Sequence, residues 1–298
     1  MPKGKKNLNP DETPGVFSSM VQDFLTYVVD TKGESKATQR SYKYAFKHLA
    51  EYMMEEQHIG FGAITFSMMT TKMIENYVKW LAKERKNSNK TIDARLAAFG
   101  AFAKYAVNHN FEAAAHFQRD LAAVERRKPE DVEVSYFTVP EVRILFDLPK
   151  HNTISGRRDA TLFPFMFATA IRCQEVCDLQ VKHVTFLEDG RARIRIRGKG
   201  EAMRTVTICE DVAFALRRYM RYRHILDVPE AFVFNTQNNP KMSVSCVEDI
   251  FDKYIRIARE RHQELFQSKH YSPHSMRHTT AVCMLEAGVP LPVIKVFL

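Results

Sequence analysis

The chain has 298 residues, of which 45% are hydrophobic and 27% charged, and its formal net charge is +9. This composition is typical of a soluble globular protein, and the length favours two domains, each large enough to bury a core. The longest weakly polar run, residues 160–171, is too short to cross a bilayer, and the first residues lack the pattern of a secretory signal peptide. Five cysteines without a CxxC pair favour reduced thiols over disulfide bonds or a structural zinc, so we expect a cytoplasmic protein that makes no membrane contact.

Residues 1–14 are predicted to form a basic, flexible tail, and residues 15–126 an all-helical unit. Apolar residues recur in this unit at helical spacing, in five segments separated by short polar loops. The segments begin near residues 15, 37, 71, 89 and 112. Short loops of this kind favour a compact helical bundle.

Residues 127–135 are predicted to be an interdomain linker, because the segment is charged, contains a proline and is poor in apolar residues. The second unit, residues 136–298, is predicted to alternate between helices and a small sheet. Its first predicted element is a strand residue or two at Tyr136 and Phe137. Three helices are predicted to follow: one that starts at Thr138, one that covers about residues 159–169 and one that starts at Arg172.

A basic hairpin is predicted in the middle of the second unit. Arginine alternates with an apolar residue from Arg191 to Arg197, which indicates a strand with one buried and one cationic face. Residues 198–201 are predicted to form the turn, residues 204–208 the returning strand and residues 181–186 a third strand. Helices are predicted to resume near residues 211, 244 and 275. The chain is therefore predicted to be mainly α with a small antiparallel β-sheet, and its second unit to be α+β.

The positive charge is concentrated in the same region. From Arg191 to Arg223 there are ten lysines and arginines against three acidic residues, a local net charge of +7. A basic surface is common in proteins and favours no particular partner by itself. Charge that is focused on one stretch is what a polyphosphate such as duplex DNA requires of its binding surface.

Arg172, Glu175 and Lys199 are candidate phosphate-site residues. Arginine suits a phosphodiester because its planar fork binds two oxygens and stays charged, although an arginine at a helix start is more often structural. Glu175 lies three residues after Arg172 and could orient it or be a surface partner. Lys199 lies between two glycines at the predicted hairpin tip, where a lysine is usually only solvated but could donate a proton to a leaving oxygen.

His274 and Arg277 are the most specific pair. They follow Pro273 at the predicted start of a helix, where the helix dipole favours an anion. A competing interpretation is that His274 and His278 form an HxxxH metal pair. No third ligand with helical spacing stands nearby and the glutamate of a metalloprotease motif is missing, so we expect no metal.

Together these residues resemble the motifs of the tyrosine recombinases, the phage-integrase family. The matching residues are Arg172 with Glu175, Lys199 on a β-hairpin, and His274-x-x-Arg277-His278 followed by Thr279-Thr280-Ala281 and Gly288-Val289. The first unit, with residues 89–96, is similar to the helical, SAM-like core-binding domain of that family, and residues 136–298 are similar to its catalytic domain. The resemblance covers about residues 15–298, and the Arg, Lys and HxxR order is specific as a set.

The resemblance implies that a tyrosine attacks a DNA phosphate and gives a 3′-phosphotyrosine and a free 5′-hydroxyl. Arg172 and Arg277 would neutralise the non-bridging oxygens. Lys199 would protonate the departing 5′-oxygen and His274 would assist proton transfer, with Glu175 and His278 in support. The candidate DNA-binding residues are Arg191, Arg193, Arg195, Arg197 and Arg204 of the hairpin and Lys90 and Arg95 of the helical unit. The resemblance further implies duplex DNA as partner, a homotetramer on the recombination site, a nucleoid-associated location and no metal or other cofactor.

The sequence departs from the family at the nucleophile. The family's tyrosine is expected beyond Leu298, and neither Tyr254 nor Tyr271 stands at its position. One hypothesis is therefore a recombinase of a phage or mobile element that is truncated before its tyrosine. A second is a catalytically inactive DNA-binding relative, a regulator or decoy. A third, a metal-dependent nuclease, would need clustered carboxylates, which are missing near the motifs.

Overall fold

The computed structural model describes residues 12–127, 134–198 and 202–298. The chain divides into two units, Met1–Val132 and Glu133–Leu298, and this division falls within the segment predicted as a linker. Most of the predicted basic tail lies outside the described residues, and so does Lys199. Among the helices that are described, none is both long enough and apolar enough to span a membrane.

The described part of the first unit is a bundle of α-helices. They are α1 (Val16–Asp30), α2 (Lys36–Gln57), α3 (Thr71–Lys83), α4 (Asn89–His109) and α5 (Phe111–Ala122). Helices α2 to α5 each begin after a residue whose side-chain oxygen accepts a hydrogen bond from the main-chain NH three positions later. The capping residues are Ser35, Thr70, Ser88 and Asn110. These caps satisfy NH groups that the helices leave unpaired, which fixes where each helix starts.

Aromatic side chains form the centre of this bundle. Phe17 of α1 meets Phe66, Phe102 of α4 and Phe117 of α5 edge to face, with ring centroids 5.1, 5.4 and 6.4 Å apart. All four rings are buried. Edge-to-face contact is the favoured geometry for such rings, so the cluster joins three helices and the turn before α3 into one core.

The second unit surrounds a small sheet with helices. Its elements are α6 (Val139–Asp147), α7 (Ile154–Thr169), α8 (Cys173–Asp178), β1 (Val184–Phe186), β2 (Ala192–Arg197), β3 (Met203–Ile208), α9 (Glu210–Tyr222), α10 (Val244–Arg261), α11 (Pro273–Glu286) and α12 (Leu291–Phe297). The strands are antiparallel in the order β1-β2-β3. The predicted class, mainly α with a small antiparallel sheet, is confirmed.

The register of the sheet sorts its arginines onto two faces. Along β2, Ala192, Ile194 and Ile196 are buried and the arginines between them are exposed, as the alternation predicts. Arg204 of β3 pairs with Ile196, and Val206 pairs with Ile194. Because paired residues share a face, Arg204 lies on the buried side of the sheet, opposite the exposed arginines of β2.

Some predicted boundaries are wrong. Residues 134–138 form no strand. The NH of Phe137 donates to the side-chain oxygen Oγ1 of Thr279 at 2.8 Å, instead of to the main-chain carbonyl of a neighbouring strand. Helix α7 begins at Ile154, five residues earlier than predicted, because Thr153 caps it. Strand β1 begins only at Val184, because residues 181–183 form a 3-10 turn.

Candidate active site

Arg172 stands at the junction between α7 and α8. Helix α7 ends at Thr169 and is followed by its C-cap Ala170, whose backbone is left-handed with φ 48° and ψ 33°. The chain is extended again at Arg172, which is the N-cap of α8. Its side chain is 46% exposed. This break in the helix places the guanidinium at the surface on a backbone that is buried on both sides, at Ile171 and Cys173.

Glu175 joins Arg172 to Arg204. Its Oε1 accepts hydrogen bonds from Nη1 of Arg172 and Nη1 of Arg204, both at 2.9 Å. Its Oε2 accepts from the main-chain NH of Arg172 at 2.9 Å and from Nη2 of Arg204 at 2.8 Å. Burial alone would raise the pKa of Glu175, but the hydrogen bonds from Arg204 and Arg172 outweigh burial and lower it. Glu175 is thus a buried, ionised carboxylate between two guanidinium groups.

Arg277 reaches the same junction from α11. Its Nη1 donates to the carbonyl oxygen of Ala170 at 2.5 Å, and its Nη2 donates to the main-chain oxygen of Leu298. Helix α11 is fixed against α7 by Thr280, whose hydroxyl donates to the Phe167 carbonyl at 2.7 Å. The packing of α11 on α7 therefore brings Arg277 to Ala170, two residues before Arg172.

The three guanidinium groups influence one another. Burial and the positive charges of Arg172 and Arg204 lower the pKa of Arg277 to about 10. Arg277 is still protonated at neutral pH, but its charged form is destabilised in the absence of an anion. A nearby anion would stabilise the charged form of Arg277.

The two histidines of the motif lie on the exposed side of α11. His274 occupies the first turn of the helix and His278 the next turn, and both are exposed. Partial burial of its ring and the charges of His274 and Arg277 lower the pKa of His278, although the side chain as a whole is exposed. Within the described ranges, no group of three or more His, Cys, Asp or Glu side chains could hold a metal ion.

Lys199 lies outside the described residues, but Gly198 and Ala202, on either side of residues 199–201, are described. The NH of Gly198 donates to the Ala202 carbonyl at 2.7 Å and closes the base of the hairpin. A Cβ atom on Gly198 would lie 3.8 Å from Oε1 of Glu175. The base of the hairpin therefore stands beside the carboxylate that binds Arg172.

The remaining candidate DNA contacts fall into two groups. On β2, Arg193 and Arg195 are exposed, and Nη2 of Arg195 donates to the Lys182 carbonyl at 2.9 Å. A groove beside β2 is lined by Arg172, Lys182, Arg195, Arg197 and Lys241, among others. Arg191, at the start of that strand, is held by Asp189 through Nε at 2.8 Å. The arginines and lysines of this groove form a basic surface next to Arg172 that also contains Glu175 and Asp178, the latter paired with Lys241 at 2.5 Å.

In the first unit, the two predicted contacts lie on α4. Lys90 is exposed in the first turn. Arg95 is half-buried, and its Nε and Nη2 donate to Oδ1 of Asn87 at 3.3 and 3.0 Å. A groove between α2 and α4 is lined by Arg40, Tyr44, His48, Thr91 and Arg95, among others.

Tyr254 and Tyr271, the last two tyrosines of the chain, are both buried. Tyr254 is 3% exposed and donates to Oδ2 of Asp159 at 3.1 Å. Tyr271 is 6% exposed and donates to Oε1 of Glu141 at 3.1 Å. Burial, with these carboxylates, raises the pKa of both phenols. Neither hydroxyl is placed to attack an external phosphate.

Comparison with known proteins finds relatives over most of the chain. Residues 136–298 match the model of the phage integrase family, and residues 20–121 match the model of the phage integrase SAM-like domain. A putative integrase/recombinase of Sinorhizobium fredii is 27% identical over 92% of this chain and 81% of its own length. The tyrosine recombinase XerC of Chlamydia caviae is 25% identical over 92% of this chain and 88% of its own length.

Solved structures share the fold of the chain. The XerH site-specific recombinase bound to its difH substrate gives a TM-score of 0.72 at 15% identity, covering 99% of this chain and 91% of that one. The Tn1549 transposon integrase in complex with circular intermediate DNA gives a TM-score of 0.67 at 17% identity, covering 93% and 90%. The likeness extends through both units.

Proposed function

The chain belongs to the phage integrase family, and we propose that Arg172 and Arg277 hold one phosphodiester of duplex DNA while a tyrosine recombinase reaction breaks and rejoins the strand. The observation on which the proposal depends is geometric: Arg277 donates to the carbonyl oxygen of Ala170, two residues before Arg172, while Glu175 binds both Arg172 and Arg204. Three guanidinium groups around one carboxylate leave an excess of positive charge, and a phosphate is the anion whose oxygens match two arginine forks.

The proposed roles follow from the chemistry of phosphoryl transfer. The tyrosine oxygen forms a bond to phosphorus while the bond from phosphorus to the 5′-oxygen breaks. Arg172 and Arg277 stabilise the charge that builds up on the two non-bridging oxygens. His274 assists transfer of the tyrosine proton, and Lys199 protonates the departing 5′-oxygen. The phosphotyrosine conserves the bond energy, so rejoining needs neither a metal nor a nucleotide cofactor.

The basic surfaces support binding of duplex DNA around this site. The exposed Arg193 and Arg195, with the groove beside β2, would contact the phosphates next to the one that is cleaved. Lys90 and Arg95 of α4 would add contacts from the first unit. We further propose that the protein acts as a homotetramer on its recombination site, associated with the nucleoid, and serves a phage or mobile element.

The proposal requires a nucleophilic tyrosine, and no tyrosine follows Tyr271 in these 298 residues. Because Tyr254 and Tyr271 are buried and hydrogen-bonded to carboxylates, we assign the nucleophilic role to neither of them. The alternative, an inactive DNA-binding relative that lacks a tyrosine, is favoured by the same observation. Both versions use the same basic surfaces and differ only in covalent chemistry.

A DNA substrate that traps the covalent intermediate separates the two. The full-length gene product is incubated with a nicked suicide substrate and analysed in SDS. We expect an SDS-resistant protein–DNA adduct that Arg172→Ala abolishes and Arg143→Ala, a change at an exposed arginine of α6, leaves intact. DNA binding without any adduct would favour the inactive relative, and an undiminished adduct with Arg172→Ala would refute the proposed site.

A further inference from the structure

We propose that Arg204 is a positioning residue of the active site, which acts on DNA cleavage only through Glu175 and Arg172. This inference rests on the proposed role of Arg172 as a phosphate-binding residue. It differs from the expectation drawn from the sequence, in which Arg204 was one of the arginines that contact DNA directly.

The geometry of the carboxylate distinguishes the two roles. Each oxygen of Glu175 accepts one hydrogen bond from Arg172 and one from Arg204, at distances between 2.8 and 2.9 Å. Arg204 uses both terminal nitrogens in a paired, fork-to-fork contact, which fixes the plane of the carboxylate. Arg172 can then bind the same two oxygens only through its main-chain NH and one terminal nitrogen. Arg204 therefore helps to fix the carboxylate to which the Arg172 guanidinium is bonded.

Exposure supports the same assignment. The side chain of Arg204 is 15% exposed and that of Glu175 is 7% exposed, whereas the side chain of Arg172 is 46% exposed. Because Arg204 pairs with Ile196 on the buried face of the sheet, its guanidinium is on the opposite side from Arg193 and Arg195. A residue so placed can hold Arg172 from behind while Arg172 faces the ligand.

The charge of Arg204 is also needed. A pair formed by Arg172 and Glu175 alone is electrically neutral and would attract a phosphate weakly. With Arg204 added, the trio has one net positive charge, and Arg277 adds a second beside it. Arg204 thus allows Arg172 to be fixed by a carboxylate without losing its attraction for the anion.

A double-mutant cycle tests the inference, with the full-length gene product and single-turnover cleavage at saturating DNA. Arg204→Ala and Glu175→Ala should each slow cleavage by about 100-fold, the cost of a misplaced binding group. The double variant should be no slower than Glu175→Ala, because Arg204 acts through that carboxylate. If Arg204→Ala slows cleavage further in the Glu175→Ala background, or leaves cleavage at the wild-type rate, the inference fails. Arg172→Ala is the control: if it cleaves normally, the proposed function fails instead.

DNA affinity separates positioning from direct contact. If Arg204 touches no phosphate, Arg204→Ala leaves the salt dependence of DNA binding by residues 1–298 unchanged. A direct contact would reduce the log–log slope by about 0.9. The control is Arg195→Ala, since Arg195 lies on the exposed face, and its slope should fall by about that amount.

Two further variants guard against a simple loss of folding. Arg204→Ala leaves the buried carboxylate of Glu175 without one of its partners and could destabilise the fold for that reason alone. It is therefore compared with the double variant Arg204→Met, Glu175→Gln, which removes both charges and keeps the side-chain volumes similar. This double variant should have the same unfolding temperature as the wild type, yet cleave DNA as slowly as Glu175→Ala. In Arg204→Gln, Glu175 loses the guanidinium hydrogen bonds from Arg204 that contribute to its lowered pKa, so the acid limb of the cleavage–pH profile should move to higher pH. Wild-type cleavage by the folded pair, or an unmoved acid limb, would overturn the inference.

Discussion

Arg277 Nη1 donates a hydrogen bond to the carbonyl oxygen of Ala170, two residues before Arg172. The contact joins α11 to the end of α7. Arg277 is therefore held by the same short segment of backbone that carries Arg172. Ala170 is in the left-handed region, with φ 48°, and is fully buried. The direction of its carbonyl, and hence the position of Arg277, depends on this unusual backbone conformation.

The first prediction concerns that conformation. Ala170→Gly should leave the free energy of unfolding unchanged or raise it by up to about 1 kcal/mol, because glycine adopts a left-handed backbone without strain. The matched control is Ala168→Gly inside α7, which should lower the free energy of unfolding by about 1 kcal/mol. Denaturant titrations measure both values. Equal destabilisation by the two changes would show that Ala170 is not strained.

The second prediction concerns the loop before α11. Glu141, 4% exposed, accepts hydrogen bonds from Thr138 N at 2.7 Å, from the Tyr271 hydroxyl at 3.1 Å and from Phe266 N. Glu141→Ala leaves these donors without an acceptor and should lower the free energy of unfolding by about 3 kcal/mol. Tyr271→Phe removes one of the bonds and should cost about 1 kcal/mol. If Glu141→Ala costs no more than Tyr271→Phe, the carboxylate does not hold the loop.

Much of this architecture could be predicted from the sequence. Helical spacing of apolar residues and polar caps such as Ser88 located the helices of the first unit to within a few residues. The strict alternation from Arg191 to Arg197 gave the faces of β2 correctly, because a strand has only two sides. Of the residues singled out by motif, Arg172, Glu175 and Arg277 lie at one junction, at the end of α7.

The role of Arg204 was missed, although a signal for it was present. Arg204, Val206 and Ile208 follow one another at a spacing of two, so Arg204 belongs to the inward set of β3. The sequence interpretation grouped it with the outward arginines of β2 by charge. Its partner Glu175 lies 29 positions away on another element, and no local pattern predicts such a pairing. The strand at Tyr136 and Phe137 failed for the same reason, because the NH of Phe137 bonds to distant Thr279.

The third prediction is a pH dependence. The pKa of Glu175 is lowered in the folded protein from its ordinary value of 4.5, so its contribution to stability is complete above that value and is lost as the pH falls through the folded-state pKa. Glu175→Gln should therefore lower the free energy of unfolding by about 2–3 kcal/mol at pH 7. This difference from the wild type should shrink progressively below about pH 5. Thermal unfolding of both proteins between pH 3 and pH 7 measures it, and a difference that is constant down to pH 3 would contradict the assignment.

The fourth prediction concerns residues 1–298 alone. They should bind duplex DNA with a log–log salt slope of roughly −0.9 for each phosphate contacted, because of the basic surface beside β2. They should form no covalent adduct, since Tyr254 and Tyr271 are buried. Filter binding across salt concentrations and SDS gels of the mixture give the two readouts. A flat salt dependence would refute the DNA surface, and an SDS-resistant complex would show that one of these tyrosines reacts.

The central claim is that Arg172 and Arg277 bind the phosphate that reacts. The direct measurement is single-turnover cleavage of a DNA site by full-length Arg277→Ala, with DNA affinity measured in parallel. The rate of cleavage should fall by about 100-fold or more, because the negative charge on the phosphate oxygens in the transition state loses one hydrogen-bond donor. Affinity should fall by no more than about threefold, since one phosphate among many is affected. Cleavage at the wild-type rate by this variant would contradict the account.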